Sequence, residues 1–159
     1  MRAVILTAGR GGRLREVIGE RPKCLTQVGG VTLLDRQLDS LHSCGITRVV
    51  IVTGHGAIDV RRACGPAIEY VHNAQFADTN SLYSLWLARG VLADGFLVMN
   101  CDVLFHPQML IDLVTSPYED ALLTSPACDS LPYSDEEMKV RIRGGRVVEI
   151  SKTIDPSDA

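Results

Sequence analysis

The chain has 159 residues, 46% of them hydrophobic and 22% charged, with a formal net charge of −3. This is ordinary globular composition at the size of one domain, and it excludes collagen-like and disordered chains. No apolar run approaches the roughly 20 residues of a membrane span, and the first one ends at Gly9-Arg10-Gly11-Gly12, too early for the core of a secretory signal.

In chain order, residues 3–7 are a short continuous apolar run, the pattern of a strand buried on both faces. Residues 8–30 are polar, rich in Gly and Arg, and contain Pro22, which predicts a long functional loop. Leu33, Leu34, Leu38 and Leu41 recur at helical spacing over 33–44, with Gly45 placed to end the helix. Residues 48–53 form a second buried strand. Gly54-His55-Gly56 follows it, then a short helix near 57–64 and a third strand over 67–72. A helix is predicted over 80–90 with Asn80 or Thr79 as its cap, then a fourth strand over 95–101 that ends at Asp102. Pro107 opens a helix to about 115. Residues 120–125 read as a fifth strand. Residues 138–143 and 146–151 alternate around Gly144-Gly145 as a hairpin.

Strands alternating with helices predict an α/β fold, a Rossmann-like three-layer α/β/α sandwich with a mostly parallel sheet and a C-terminal β-hairpin, formed as a single domain over 1–159. Ligands in such folds bind beyond the carboxyl ends of the strands. That directs attention to the loops at 8–23, 54–56 and 100–106.

The charge is unevenly placed. Residues 1–62 carry ten Lys/Arg against five Asp/Glu, and residues 63–159 carry six against fourteen. Much of the basic excess is Arg10, Arg13, Arg15, Arg21 and Lys23 in the glycine-rich loop, while the whole chain has a pI near 5.8. That combination suits a small polyanion better than a nucleic acid. Five dispersed cysteines, with no CxxC and no Cys/His pair at zinc spacing, read as free thiols of a cytoplasmic protein.

The first loop, Ala8-Gly9-Arg10-Gly11-Gly12-Arg13-Leu14 followed by Arg21-Pro22-Lys23, lets the backbone approach phosphate oxygens, while Arg13 and Lys23 add charge-assisted hydrogen bonds. It is not the dinucleotide fingerprint, because Leu14 stands at the third glycine and Thr53 replaces the ribose-binding acid; nor does it carry Gly-Lys-Ser/Thr. Asp102, directly after a buried strand, can hold Mg²⁺ beside phosphates or serve as a turn residue. Asn80 and Ser81 open a helix, where an anion or a ligand hydroxyl fits and where capping is equally served. His55, between two glycines, lies near the same loops. No Ser/His/Asp set is spaced for a nucleophile.

Leu6-Thr7-Ala8-Gly9-x-Gly11-x-Arg13-Leu14 with Pro22-Lys23-x-Leu25 resembles the signature of the sugar-phosphate nucleotidyltransferases, the NDP-sugar pyrophosphorylase-like superfamily, with Thr7 where that pattern usually has Ala. Asn73, the run Thr79-Asn80-Ser81-Leu82-Tyr83-Ser84-Leu85-Trp86, Asp102-Val103-Leu104-Phe105, Met138-Lys139-Val140 and Ile150-Ser151-Lys152 resemble the branch of phosphocholine, phosphonate and inositol-phosphate cytidylyltransferases. The resemblance implies transfer of a nucleotidyl group, CMP from CTP in that branch, to a phosphorylated small molecule with release of pyrophosphate. It implies Ala8, Gly9, Gly11 and Gly12 under the base and phosphates, Arg13 on the leaving phosphates and Lys23 on the α-phosphate. It also implies Gly54 edging the base, Asn80 or Ser81 near the nucleotide or acceptor, and Asp102 on Mg²⁺.

The family also supplies a second metal-binding carboxylate and further acceptor-pocket elements downstream, whereas this chain ends at Asp158-Ala159. A short chain with an incomplete metal cage is therefore expected. A catalytically idle nucleotide-binding domain and a guanylyltransferase of the molybdenum-cofactor type stand as alternative readings. No nucleic-acid or membrane partner is expected, and apolar surface left uncovered would favour self-association.

Overall fold

A computed structural model describes residues 1–11, 19–92, 95–125 and 137–155. The chain divides into two units, Met1–Thr115 and Ser116–Ala159. In the first unit, β1 (Arg2–Leu6) pairs in parallel with β4 (Val49–Thr53) on one side and with β6 (Phe96–Asn100) on the other. β5 (Glu69–His72) pairs with β4, giving the order β5-β4-β1-β6 with every neighbour parallel.

Alternation along the strands sorts two cores. Ala3, Ile5, Val49, Ile51 and Leu97 face one side. There they meet Leu34, Leu38 and Leu41 of α1 (Leu33–Ser43), Val60 of α2 (Ala57–Cys64) and Leu110 of α4 (Pro107–Val114). Val4, Val50 and Val52 face the other side. They pack with Leu85 of α3 (Ser81–Leu87) and with Ala88 and Val91 of the 3-10 turn Ala88–Val91. The sheet lies between two helical layers, as the sequence predicts. Each buried Val, Leu or Ile contributes about 1.5–3 kcal/mol relative to exposure.

Local signals set the helix ends. Thr32 Oγ1 accepts from Asp35 N at 3.0 Å to cap α1, and Gly45, at φ +76°, returns its N–H to His42 O at 2.9 Å. Pro107 occupies the first turn of α4, with His106 as its cap. The predicted loop 8–30 holds more order than its composition suggests. It contains a 3-10 turn, Lys23–Leu25, and the first strand of a small hairpin, β2 (Gln27–Val28) with β3 (Val31–Thr32).

The second unit contains the expected hairpin, β7 (Lys139–Arg143) with β8 (Arg146–Ser151), turned by Gly144 and Gly145 at φ +56° and +74°. Arg141 pairs with Glu149 across it, and Lys139 Nζ donates to Lys152 O at 2.9 Å. One expectation fails: residues 120–125 form no strand and are exposed. The apolar run Ala121-Leu122-Leu123 has the composition of a strand, but a strand exists through its ladder, and among the described residues nothing pairs with this one. No described helix is long and apolar enough to cross a membrane.

Candidate functional site

From β1 the chain builds the sheet towards β4 and β5; β6 is then added on the opposite side of β1. The carboxyl ends of β1 and β6 are therefore the point where the winding reverses, the general location of ligands in open α/β sheets. A cavity of about 370 Å³ opens there. The loop after β1 lines it with Gly9, Gly11 and Lys23; the end of β6 contributes Asn100, Cys101 and Asp102; the first turn of α3 contributes Ser81. A second, larger depression, lined by Arg21, Asp59 and Arg62 among others, contains none of the predicted site residues.

Lys23 is aimed by its neighbours. Leu25 N–H donates to Pro22 O at 2.9 Å, closing the 3-10 turn, and Cys24 is buried in the core below it. Gly56, at φ +60°, presents its bare Cα to the Pro22 ring, where any Cβ would collide. Thus anchored, Lys23 Nζ reaches Asp102 Oδ2 at 2.5 Å, and an added Cβ on Gly11 would be 3.4 Å from Lys23 Cβ. The Lys23 and Asp102 side chains are 27% and 37% exposed, open to an incoming ligand.

Cys24, next to Lys23 in sequence, is buried in the core, and Cys101, next to Asp102, packs against the same cluster. Hydrogen bonding to Cys101, followed by burial, pushes the Cys24 thiol up; hydrogen bonding to Cys24 lowers Cys101, with burial and the Asp102 charge opposing that shift. Cys24, Cys44, Cys64 and Cys101 are all free thiols, and Cys128 lies outside the described residues.

Of the predicted residues, Gly9, Gly11, Lys23, Ser81 and Asp102 come together in one cavity. Ala8 and Gly54 are placed against each other, a step back from it. The Ala8 carbonyl accepts from His55 N–H at 3.0 Å, and a Cβ on Gly54 would lie 2.7 Å from that carbonyl oxygen and 2.6 Å from Phe76 Cβ. His55 Nε2 meets Glu20 O at 2.9 Å. Asn80 caps α3, its Oδ1 accepting from Tyr83 N at 3.1 Å. Arg13 and Gly12 lie outside the described residues.

Asn73 is almost completely buried. Its Nδ2 donates to Thr79 Oγ1 and Ser84 Oγ, both at 3.0 Å, and its Oδ1 accepts from Gln75 N–H at 2.9 Å. It thereby knots the loop that delivers Ser81. Sequence reasoning missed Gln37, whose amide spans the turn carrying Asp102. The signal was present: Gln37 is a polar residue on the face of α1 that Leu34, Leu38 and Leu41 give to the core.

Among the described residues no three His, Cys, Asp or Glu side chains are grouped to hold a metal ion. Asp102 is a single carboxylate beside the cavity of about 370 Å³. That set fits Mg²⁺ held jointly with bound phosphates, and does not fit a cage built wholly from protein.

Residues 3–131 match the MobA-like NTP transferase domain, and the chain belongs to that family. It is 38% identical over 130 residues to CMP-5'-(3-aminopropyl)phosphonate synthase of Streptomyces rubellomurinus, covering 79% of this chain and 21% of that protein. It is 34% identical over 121 residues to choline-phosphate cytidylyltransferase of Streptococcus pneumoniae, covering 74% and 52% respectively. Among solved structures, the inositol-1-phosphate CTP transferase of T. maritima superposes with a TM-score of 0.80 at 30% identity, over 97% of this chain and 64% of that one. The chain thus spans a fifth to a half of the length of the two curated relatives it matches.

Proposed function

We propose that the chain carries the nucleotide site of a cytidylyltransferase, which moves CMP from CTP to a phosphorylated or phosphonylated small molecule and releases pyrophosphate. The observation that carries this reading is the Lys23–Asp102 pair at the winding reversal, in a cavity floored by Gly9 and Gly11. A cation and an anion in contact there suit a ligand that is itself paired, a triphosphate with its divalent ion. Lys23 would hold the phosphate and Asp102 the divalent ion. The relatives' names, a phosphonate synthase forming a CMP conjugate and a choline-phosphate cytidylyltransferase, favour CTP and a small anionic acceptor.

The chemistry asks the protein to align two anions for in-line attack and to neutralise the charge that develops. Lys23 would hold the α-phosphate and the attacking oxygen. Arg13 would hold the departing phosphates, and the backbone from Ala8 to Gly12 would carry the base and the phosphate chain. Gly54 would support Ala8 from behind, and Ser81 would reach the nucleotide or acceptor from the opposite wall, with Asn80 setting its helix. Asp102 would hold Mg²⁺ together with the phosphates, and the ion would supply further charge neutralisation. The free thiols favour a reducing, cytoplasmic setting.

Pyrophosphate release from CTP with phosphocholine, 3-aminopropylphosphonate and inositol phosphate tests the reading, with GTP, UTP and ATP as comparison nucleotides. Turnover with CTP and one of these acceptors supports it; turnover with GTP alone moves the assignment to a guanylyltransferase. CTP binding without turnover across the panel supports the second reading, an idle nucleotide-binding domain, which the single carboxylate among the described lining residues favours.

A further inference from the structure

We propose that Gln37 is a positioning residue for Asp102, its buried amide fixing the turn between β6 and α4 that presents the carboxylate. Gln37 is 2% exposed. Its Nε2 donates to Asn100 O at 3.0 Å and to Val103 O at 2.9 Å, using both amide hydrogens. Those two carbonyls flank Cys101-Asp102, so one side chain grips the main chain on either side of the residue. The second observation is an omission: Gln37 Oε1 is also buried and finds no hydrogen-bond partner among the described residues.

An acceptor buried without a donor costs free energy, and a leucine here would avoid that cost while continuing the apolar face of Leu34, Leu38 and Leu41. The glutamine is thus explained by its two donors and not by the stability of α1.

The turn needs such a grip. Before Asp102, Cys101 N–H donates to Leu6 O in a long 3.3 Å bond. Beyond Asp102, the bond from Gln37 to Val103 O ties the chain down before Pro107 starts α4. The Asp102 carboxylate itself is held by Lys23, a flexible side chain that the proposed reaction requires to leave it for phosphate. When Lys23 departs, Asp102 keeps its place through its backbone, and Gln37 holds that backbone. The role in catalysis rests on the nucleotidyltransferase reading; the grip on the turn does not.

Gln37→Leu in the full 159-residue chain tests both parts. Amide exchange followed by NMR reads the grip without substrate. The Cys101 amide is expected to exchange about tenfold faster, while the Thr7 amide, bonded to Val52 O in the central sheet, stays within about twofold of wild type. Equal changes at both amides, or no change at Cys101, would overturn the proposal. Should Gln37→Leu fail to fold, Gln37→Met removes the same donors at nearly the same length and is read identically.

Turnover of CTP reads the consequence through a double-mutant cycle. Gln37→Leu is expected to lower kcat about tenfold in the wild-type background, with a smaller change in KM for CTP, and less than about twofold when Asp102→Asn is already present. Equal losses in both backgrounds would show that Gln37 does not act through Asp102. A wild-type chain with no turnover would count against the nucleotidyltransferase reading, and the exchange measurement would still decide the grip.

Discussion

Lys23 and Asp102 meet at 2.5 Å although 79 positions separate them in the sequence. One comes from the loop after the central strand and the other from the turn after its neighbour. Their contact is partly exposed, so its contribution to stability is small, on the order of 0–1 kcal/mol. Its value lies in placing opposite charges on one cavity.

Lys23→Met is therefore expected to leave the urea midpoint nearly unchanged and to lower kcat for CTP by about 100-fold, the scale of losing one charged donor to a developing phosphate charge. Asp102→Asn should lower turnover and raise the Mg²⁺ concentration needed for half-maximal rate. Pyrophosphate release measured against Mg²⁺ separates the two. A Lys23→Met protein with wild-type kcat would remove Lys23 from the site.

Gly54→Ala should be costly at a position that bears no side chain. Its Cβ would meet the Ala8 carbonyl oxygen at 2.7 Å and Phe76 Cβ at 2.6 Å, and neither is the free end of a flexible chain. The expected loss is about 1–3 kcal/mol in urea unfolding, the range for overpacking, accompanied by weaker CTP binding because Ala8 is displaced. Unchanged unfolding would mean that the two strand ends do not approach as closely as described.

Asn80 and Ser81 are adjacent yet should separate cleanly. Asn80→Ala removes the cap of α3 and should cost about 0.5–2 kcal/mol of stability. Ser81→Ala should leave stability within about 0.5 kcal/mol, as for substitutions away from special features. It should instead diminish the thermal shift given by CTP with Mg²⁺, because Ser81 lines the cavity. Equal behaviour of the two variants in both assays would contradict this division.

Cys64 predicts a dependence on alkaline pH. Burial, assisted by the Asp35 charge, pushes its thiol up to about 11 from 9.0. In this window the unfolded chain loses the proton first and binds fewer protons than the native state. Stability thus falls as pH rises from about 9 to about 11, by on the order of 1 kcal/mol from this half-buried group once solvent screening is allowed for. Cys64→Ala should lose less stability than wild type between pH 8.5 and 10.5 in parallel urea titrations. Part of the slope remains, since the Cys24 thiol, through Cys101 and burial, and Tyr70, through burial, are also raised. Identical slopes would show that Cys64 ionises as freely in the native state as in the unfolded chain.

The centre of the sheet and two of the helices were legible because β1, β4 and β6 are short, mainly apolar runs, and α1 and α4 repeat Leu, Ile or Val at helical spacing. The site loops followed from the rule that ligands collect at strand ends, which directed attention to the loops of Gly9, Gly11, Lys23 and Asp102 without any knowledge of strand order, and these four residues line one cavity. Residues 120–125 misled because apolar content reports burial potential, whereas a strand requires a partner with open hydrogen bonds. Asn80 was legible as two roles at once, and only the 3.1 Å bond to Tyr83 N shows that its oxygen caps the helix. Gln37 and the Cys24–Cys101 contact escaped because both join segments remote in sequence, and periodicity carries no information about such pairs.

The order β5-β4-β1-β6 also sets a timetable. Val4 finds Val50 across a shorter stretch of chain than it finds Val98, and closing the longer loop costs more entropy. During refolding the half of the cavity built on β1 and Lys23 can be in place while the wall bearing Asp102 is still absent. A nucleotide arriving early would meet a shelf with one side open. With the proposed CTP site, full affinity would appear only when the last strand of the parallel sheet docks, and recovery of binding during refolding would report the arrival of β6.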